Sequence, residues 1–175
     1  MFIHIYGMGQ VETLAAGVRA TLDKLKELRT AKKLQAQSAS VTTDFDPATI
    51  DEILETRGRM NAGVYKVTIG RPDVTLMDHG VRVSTFAGFN TWMAFQGTSD
   101  KAAVAGDFVM LADEVAPVIE ALAGQNIEVV AVHNHMVHDT PRVFFLHFWG
   151  VGPVDALARG LKAGLAQTGA GAATP

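Results

Sequence analysis

The sequence predicts an α+β fold, and three observations carry that expectation. Between Val64 and Leu111 short apolar runs recur, broken by glycine, proline and aspartate turns, the mark of antiparallel strands. From Val104 the pattern reads strand, helix, strand, strand, helix, most of a ferredoxin-like split βαβ arrangement. The opening residues also repeat the closing ones. With Phe2 set against Phe145, the residues Phe2, His4, Gly7, Gly9, Val11, Leu14, Ala15, Gly17, Ala20 and Leu22 recur without a gap as Phe145, His147, Gly150, Gly152, Val154, Leu157, Ala158, Gly160, Ala163 and Leu165.

That shared unit is a strand carrying one histidine, a Gly-x-Gly turn and an amphipathic helix. Residues 2–6 alternate as the strand, and Val11, Leu14, Val18, Leu22 and Leu25 space out one helical face to about Leu28. Residues 30–44, rich in Lys, Gln, Ser and Thr, read as a linker. Asp46-Pro47 is an N-cap followed by a proline at the first helical position, and the short helix it opens is expected to stop at Gly58. Val64–Ile69 and Val74–Met77 flank the turn signal Gly70-Arg71-Pro72-Asp73 and predict a hairpin; Asp78-His79-Gly80 turns again into Val81–Ser84. Thr91–Phe95 and Val104–Leu111 follow as strands. Val115, Val118, Ile119 and Leu122 mark a helix ended by Gly124, and Ile127–His135 and Val143–Trp149 are strands joined by the loop Met136–Arg142. The last helix opens at Gly152-Pro153 and buries Val154, Leu157, Leu161 and Leu165. The expected organisation is a partial repeat over 1–29, equivalent to 144–168, then a linker over 30–44, a complete domain over 45–168 and a loose tail over 169–175.

Composition narrows the function classes. The chain has 175 residues, 48% of them hydrophobic and 19% charged, which is globular and long enough for a real core. A net charge of −3 with no basic stripe argues against nucleic acid as the main partner. The absence of cysteine excludes thiolate metal sites and disulfides. No window is apolar enough for a membrane span, and Met1-Phe2-Ile3-His4 has no basic n-region of a signal peptide.

Chemistry concentrates in the last hairpin. His133-Asn134-His135 puts two imidazoles at i and i+2, the same face of a strand, and the returning strand carries His147 opposite or diagonal to His133. Three neutral imidazoles suit a divalent transition metal, Zn, Cu, Fe or Ni, and three ligands with an open position are the catalytic pattern. A carboxylate could complete the site, and Asp107 and Glu114 are the candidates for that place and for the general base of an enzyme. Arg142 and Trp149 are the candidate ligand-binding residues at the hairpin mouth, though a surface arginine and a core tryptophan are equally ordinary. His138 reads as a solvated loop residue or a fourth ligand, and His79 as a turn residue. An H-x-H on a strand also fits half-buried histidines that hydrogen-bond their neighbours, so a metal-free pocket or a structural role stands beside the metal site.

At His133-Asn134-His135, Pro141-Arg142 and His147-Phe148-Trp149-Gly150, with Gly63-Val64-Tyr65-Lys66-Val67, Phe95-Gln96-Gly97 and Gly106-Asp107, the chain resembles the LppY/LpqO family, also catalogued as DUF1259. The likeness covers roughly residues 45–168. It implies a domain commonly present twice and often exported or lipid-anchored, and it names no reaction. The sequence thus yields an expected metal-binding domain with a histidine site on a sheet face, an enzyme if the metal activates water. The alternatives are a small-ligand module of the cell envelope or an assembly protein. A lone strand and helix at the front must pack on something, the sheet edge of the complete domain in the same chain or in a second chain. A homodimer is the expected partner state, because the linker is long enough to reach across.

Overall fold

The computed structural model describes residues 5, 7–31 and 42–171, in two compact units, Met1–Ser40 and Val41–Pro175. Most of the expected first strand, with His4, and most of the expected linker lie outside the described residues.

The first unit holds α1 (Val11–Ala31), which runs past the expected end near Leu28. Its polar side is laced by Arg19–Asp23 and Lys24–Glu27 pairs at helical spacing. Val11, Val18, Leu22, Leu25 and Leu28 are exposed. A Cβ added at Gly7 would lie 3.1 Å from Leu14 Cδ2.

The second unit opens with α2 (Pro47–Leu54), capped by Asp46, whose side chain accepts the Ala48 N–H at 3.0 Å. Glu55 in the left-handed region ends it, ahead of the Gly58 expected to do so. Strands β1 (Arg59–Asn61) and β2 (Val64–Gly70) form a hairpin through Ala62-Gly63, both at positive φ, the primed turn that suits strand twist. This corrects the hairpin expected around Gly70–Asp73. The Arg71 side chain is buried there and paired with Asp73 and Glu114, which pins the segment as an anchored turn, and the following run sends Leu76 into a core instead of along β2. Strands β3 (Met77–Asp78) and β4 (Val81–Arg82) turn through His79-Gly80, at φ 47° and 78°. Then come β5 (Asn90–Gly97), β6 (Ala102–Leu111), α3 (Val115–Ala123), β7 (Glu128–His133), β8 (Asp139–Thr140), β9 (Val143–Gly152) and α4 (Val154–Leu165).

The main sheet is antiparallel, in the order β1-β2-β5-β6-β9-β7, and β4-β3-β8 form a small second sheet. After the α3 crossover β7 lies beyond β9 from β6, the split βαβ arrangement the sequence predicts. The class is α+β. Helices α2, α3 and α4 pack on one face of the main sheet, where Tyr65, Val67, Phe95, Phe108, Leu146 and Phe148 meet them. Among the described residues of the second unit, the other face is covered at one end, where Val109 and Phe145 pack with Leu76, Phe89, Met136 and Val143. Beyond that end the face lies open. Among the described residues no helix is long and apolar enough to cross a membrane.

Candidate metal centre

The border between that second core and the open face holds a cluster of Asp107, His133, His135 and His147. Each arrives there for a local reason. Asp107 on β6 pairs with His147 on β9, and residues paired across antiparallel strands share a face. Gly106 just before it leaves the helix-side space to Phe148, since a Cβ there would fall 2.3 Å from that ring. His133 reaches the face through a β-bulge. Glu128 pairs with Trp149 and Val129 with Phe148, but the register then slips, so Ala131 pairs with His147 and His133 with Phe145. Without that extra residue His133 would point at the helices; re-aiming a side chain is a recurrent use of bulges. His147 lies diagonal to His133, and their rings stack at 4.6 Å.

His135 lies past the end of β7, and its ring stacks on Phe145 with centroids 3.4 Å apart. Its Nε2 lies 3.1 Å from His133 Nε2 and 3.6 Å from Asp107 Oδ2. Asn134 turns the other way and donates to the Val143 carbonyl at 2.7 Å, clamping the loop to β9. Asp107, His133 and His135 each offer a ligand atom, all within 4.8 Å of one another. A tetrahedral ion with bonds of about 2.0–2.1 Å holds its ligand atoms ~3.3 Å apart, and two of the separations bracket that value. His147 stands beside this group, its Nδ1 3.7 Å from Asp107 Oδ1.

The Asp107 side chain is 3% exposed, and among the described residues its Oδ1 has no hydrogen-bond partner. Burial pushes its pKa up to about 7, against a smaller downward pull from the Leu146 backbone. A buried carboxylate among three imidazoles is a cation-seeking arrangement.

The remaining candidates are placed as follows. Glu114 accepts from Arg71, from Leu111 N–H at 2.7 Å and from Gly169 N–H at 2.8 Å, a clasp that ties β6, the Arg71 turn and the C-terminal segment together. Arg142 pairs with Asp139 at 3.1 Å and donates to Val137 O, which closes its own loop. Trp149 is exposed on the open face, two positions along from His147. His138 packs edge to face on His79 at 4.6 Å, and His79 Nδ1 lies 2.5 Å from Asp78 Oδ1. Of the two carboxylates the sequence offers to complete the site, Asp107 stands beside the histidines and Glu114 is held in the Arg71 clasp.

A family model described as "Domain of Unknown Function (DUF1259)" matches residues 48–167, a span that contains the whole cluster and begins after the first unit. Neither the comparison with curated proteins nor that with solved structures found a match.

Proposed function

The chain belongs to the family described as Domain of Unknown Function (DUF1259), and from its histidine–aspartate cluster we propose that it is a metal-binding domain. The ion is a divalent transition metal held by Asp107, His133 and His135, with His147 steadying Asp107 and the ring of His133. The observation that carries this reading is the convergence of those three ligand atoms around a carboxylate withdrawn from water. An apolar bed beneath, Phe145 and Val109, keeps the site shaped and dry on one side. Three protein ligands on an open face leave a coordination position for water or a ligand, where a metal acts as a Lewis acid. The exposed apolar side of α1 supports association of two copies as a homodimer.

The test is metal content and affinity of the protein purified without a histidine tag. The expected outcome is one tightly held equivalent of Zn, Cu, Fe or Ni, lost in the His133→Ala/His135→Ala variant. Binding should also fall steeply below about pH 6.5, since protonated imidazole cannot ligate. A variant that folds normally by circular dichroism and keeps full affinity would overturn the proposal.

A further inference from the structure

The face that bears the cluster runs on, away from the histidines, into a cationic trough. One row crosses the sheet directly: Thr68 on β2 pairs with Trp92 on β5, Trp92 with Asp107 on β6, and Asp107 with His147 on β9. The next row begins with Arg59 on β1 paired to Lys66 on β2. Paired residues share a face, and side chains two apart on a strand return to it, so Arg59, Lys66, Thr68 and Trp92 stand on the same side as Asp107. At the β1–β2 end of these rows lies a cavity of about 720 Å³, lined among others by Arg57, Arg59, Lys66, Thr68, Asn90 and Phe86.

Its charge is one-sided. Arg57, Arg59 and Lys66 make no ion pair among the described residues. Asp51 is close to Gly58 but commits its Oδ1 to the Gly58 N–H and the Tyr65 hydroxyl. The molecule as a whole carries −3, so three uncompensated cations around one cavity run against its average and focus a local positive potential. The trough also has aromatic walls. Lys66 Nζ sits 4.3 Å above the Trp92 ring, and Trp92 is the residue that separates the cavity from Asp107. Phe86, at the rim, is fully exposed.

We infer that this trough binds the anionic end of an organic ligand, a doubly charged group such as a phosphate monoester, whose uncharged part lies over Trp92 toward the cluster. Guanidinium forks meet phosphate oxygens bidentately, which suits Arg57 and Arg59 to that end. Two strand spacings of about 4.8 Å separate Thr68 from Asp107, roughly 10 Å, the length of an aryl or sugar phosphate. The position of the ligand's far end rests on the metal reading; anion binding by the trough does not.

The probe is phenyl phosphate, titrated into EDTA-treated full-length protein by calorimetry and by NMR. Saturable binding is expected, with phenol alone silent and inorganic phosphate weaker. The Arg59→Gln/Lys66→Gln variant, both surface residues, should lose affinity about tenfold or more, and Arg57→Glu should do the same independently. No saturable binding, or unaltered affinity in both variants, would overturn the trough. With Co²⁺ supplied, distances derived from paramagnetic relaxation should place the ring protons of bound phenyl phosphate nearer the metal than its phosphorus. A phosphorus nearer the metal than the ring would overturn the orientation. Failure of the metal reading would show separately, as absence of Co²⁺ binding with the EDTA titration unaltered.

Discussion

Helix α4 buries Val154, Leu157, Ala158, Gly160, Leu161, Gly164 and Leu165, and helix α1 carries Val11, Leu14, Ala15, Gly17, Val18, Thr21 and Leu22 at the corresponding places. In α1 every one of those residues but the half-buried Leu14 is exposed. One local contact is nevertheless alike in the two segments. A Cβ on Gly150 would meet Leu157 Cδ2 at 3.0 Å, as one on Gly7 would meet Leu14 Cδ2 at 3.1 Å. The close approach of a glycine to a leucine of the following helix is therefore common to the two segments, while burial is not. It comes from α2, α3 and the sheet, which α4 has beside it in its own unit. An amphipathic face states what a helix needs, and only the rest of a domain supplies it.

The largest expected effect lies where the rear strand meets β6, at Asp107 beside His147. The folded pKa of Asp107 is raised from the ordinary 3.8 to about 7, so its charged form is disfavoured in the native state. For such a group the stabilisation is full below about pH 4 and is lost as pH rises through 7. Asp107→Asn should then stabilise the metal-free protein at pH 8 by roughly 4 kcal/mol, about 1.4 per pKa unit, and leave it unaltered near pH 4. The same variant should bind metal more weakly. Urea denaturation of both proteins in chelator, across that pH range, gives the difference directly. Identical curves at both ends would mean that the carboxylate is not raised, and the cluster would lose its cation-seeking character.

A smaller effect separates the two helices. Leu161 is fully buried, and Leu161→Ala should cost about 3 kcal/mol in transfer and cavity terms. Val18 holds the matching place in α1 and is 41% exposed, so Val18→Ala should cost less than about 0.5 kcal/mol in dilute protein. If two copies associate through α1, the Val18→Ala cost should grow with protein concentration while the Leu161→Ala cost does not. Equal costs at every concentration would erase the contrast between the helices.

Much of this architecture is legible in the residues. The α+β class follows from turn signals and helical spacing, α2 from Asp46-Pro47, and α4 from its apolar stripe. The nearness of His133 and His135 follows the H-N-H spacing, although the expected strand Ile127–His135 stops at His133 and leaves His135 beyond its end. Two things are not legible. Alternation cannot show the bulge between Val129 and Ala131, because one extra residue changes which face the later side chains take without changing composition. The Arg71 turn reads like a hairpin because Gly-Arg-Pro-Asp is good turn chemistry. Its partner Glu114, which also accepts the Gly169 N–H, is far along the chain, so tertiary pairing decides the outcome.

The smallest effect is the one whose sign differs between the copies. Gly160 faces the turn between α3 and β7, and a Cβ there would lie 2.9 Å from both Gln125 Cβ and Ile127 Cδ1. Ile127 is buried and cannot retreat freely, so Gly160→Ala should overpack the contact and destabilise by about 1–2 kcal/mol, even after the gain in helix propensity. Gly17 is its counterpart in α1, and a Cβ there meets nothing within 4 Å. Gly17→Ala should therefore stabilise α1 by about 0.5–1 kcal/mol, because alanine loses less backbone freedom in a helix interior. Thermal unfolding followed at the helical band, for each variant at low protein concentration, reads both signs. A loss of stability in Gly17→Ala would reveal that α1, too, lies against a surface shaped like the Gln125–Ile127 turn, and that the two copies are buried alike.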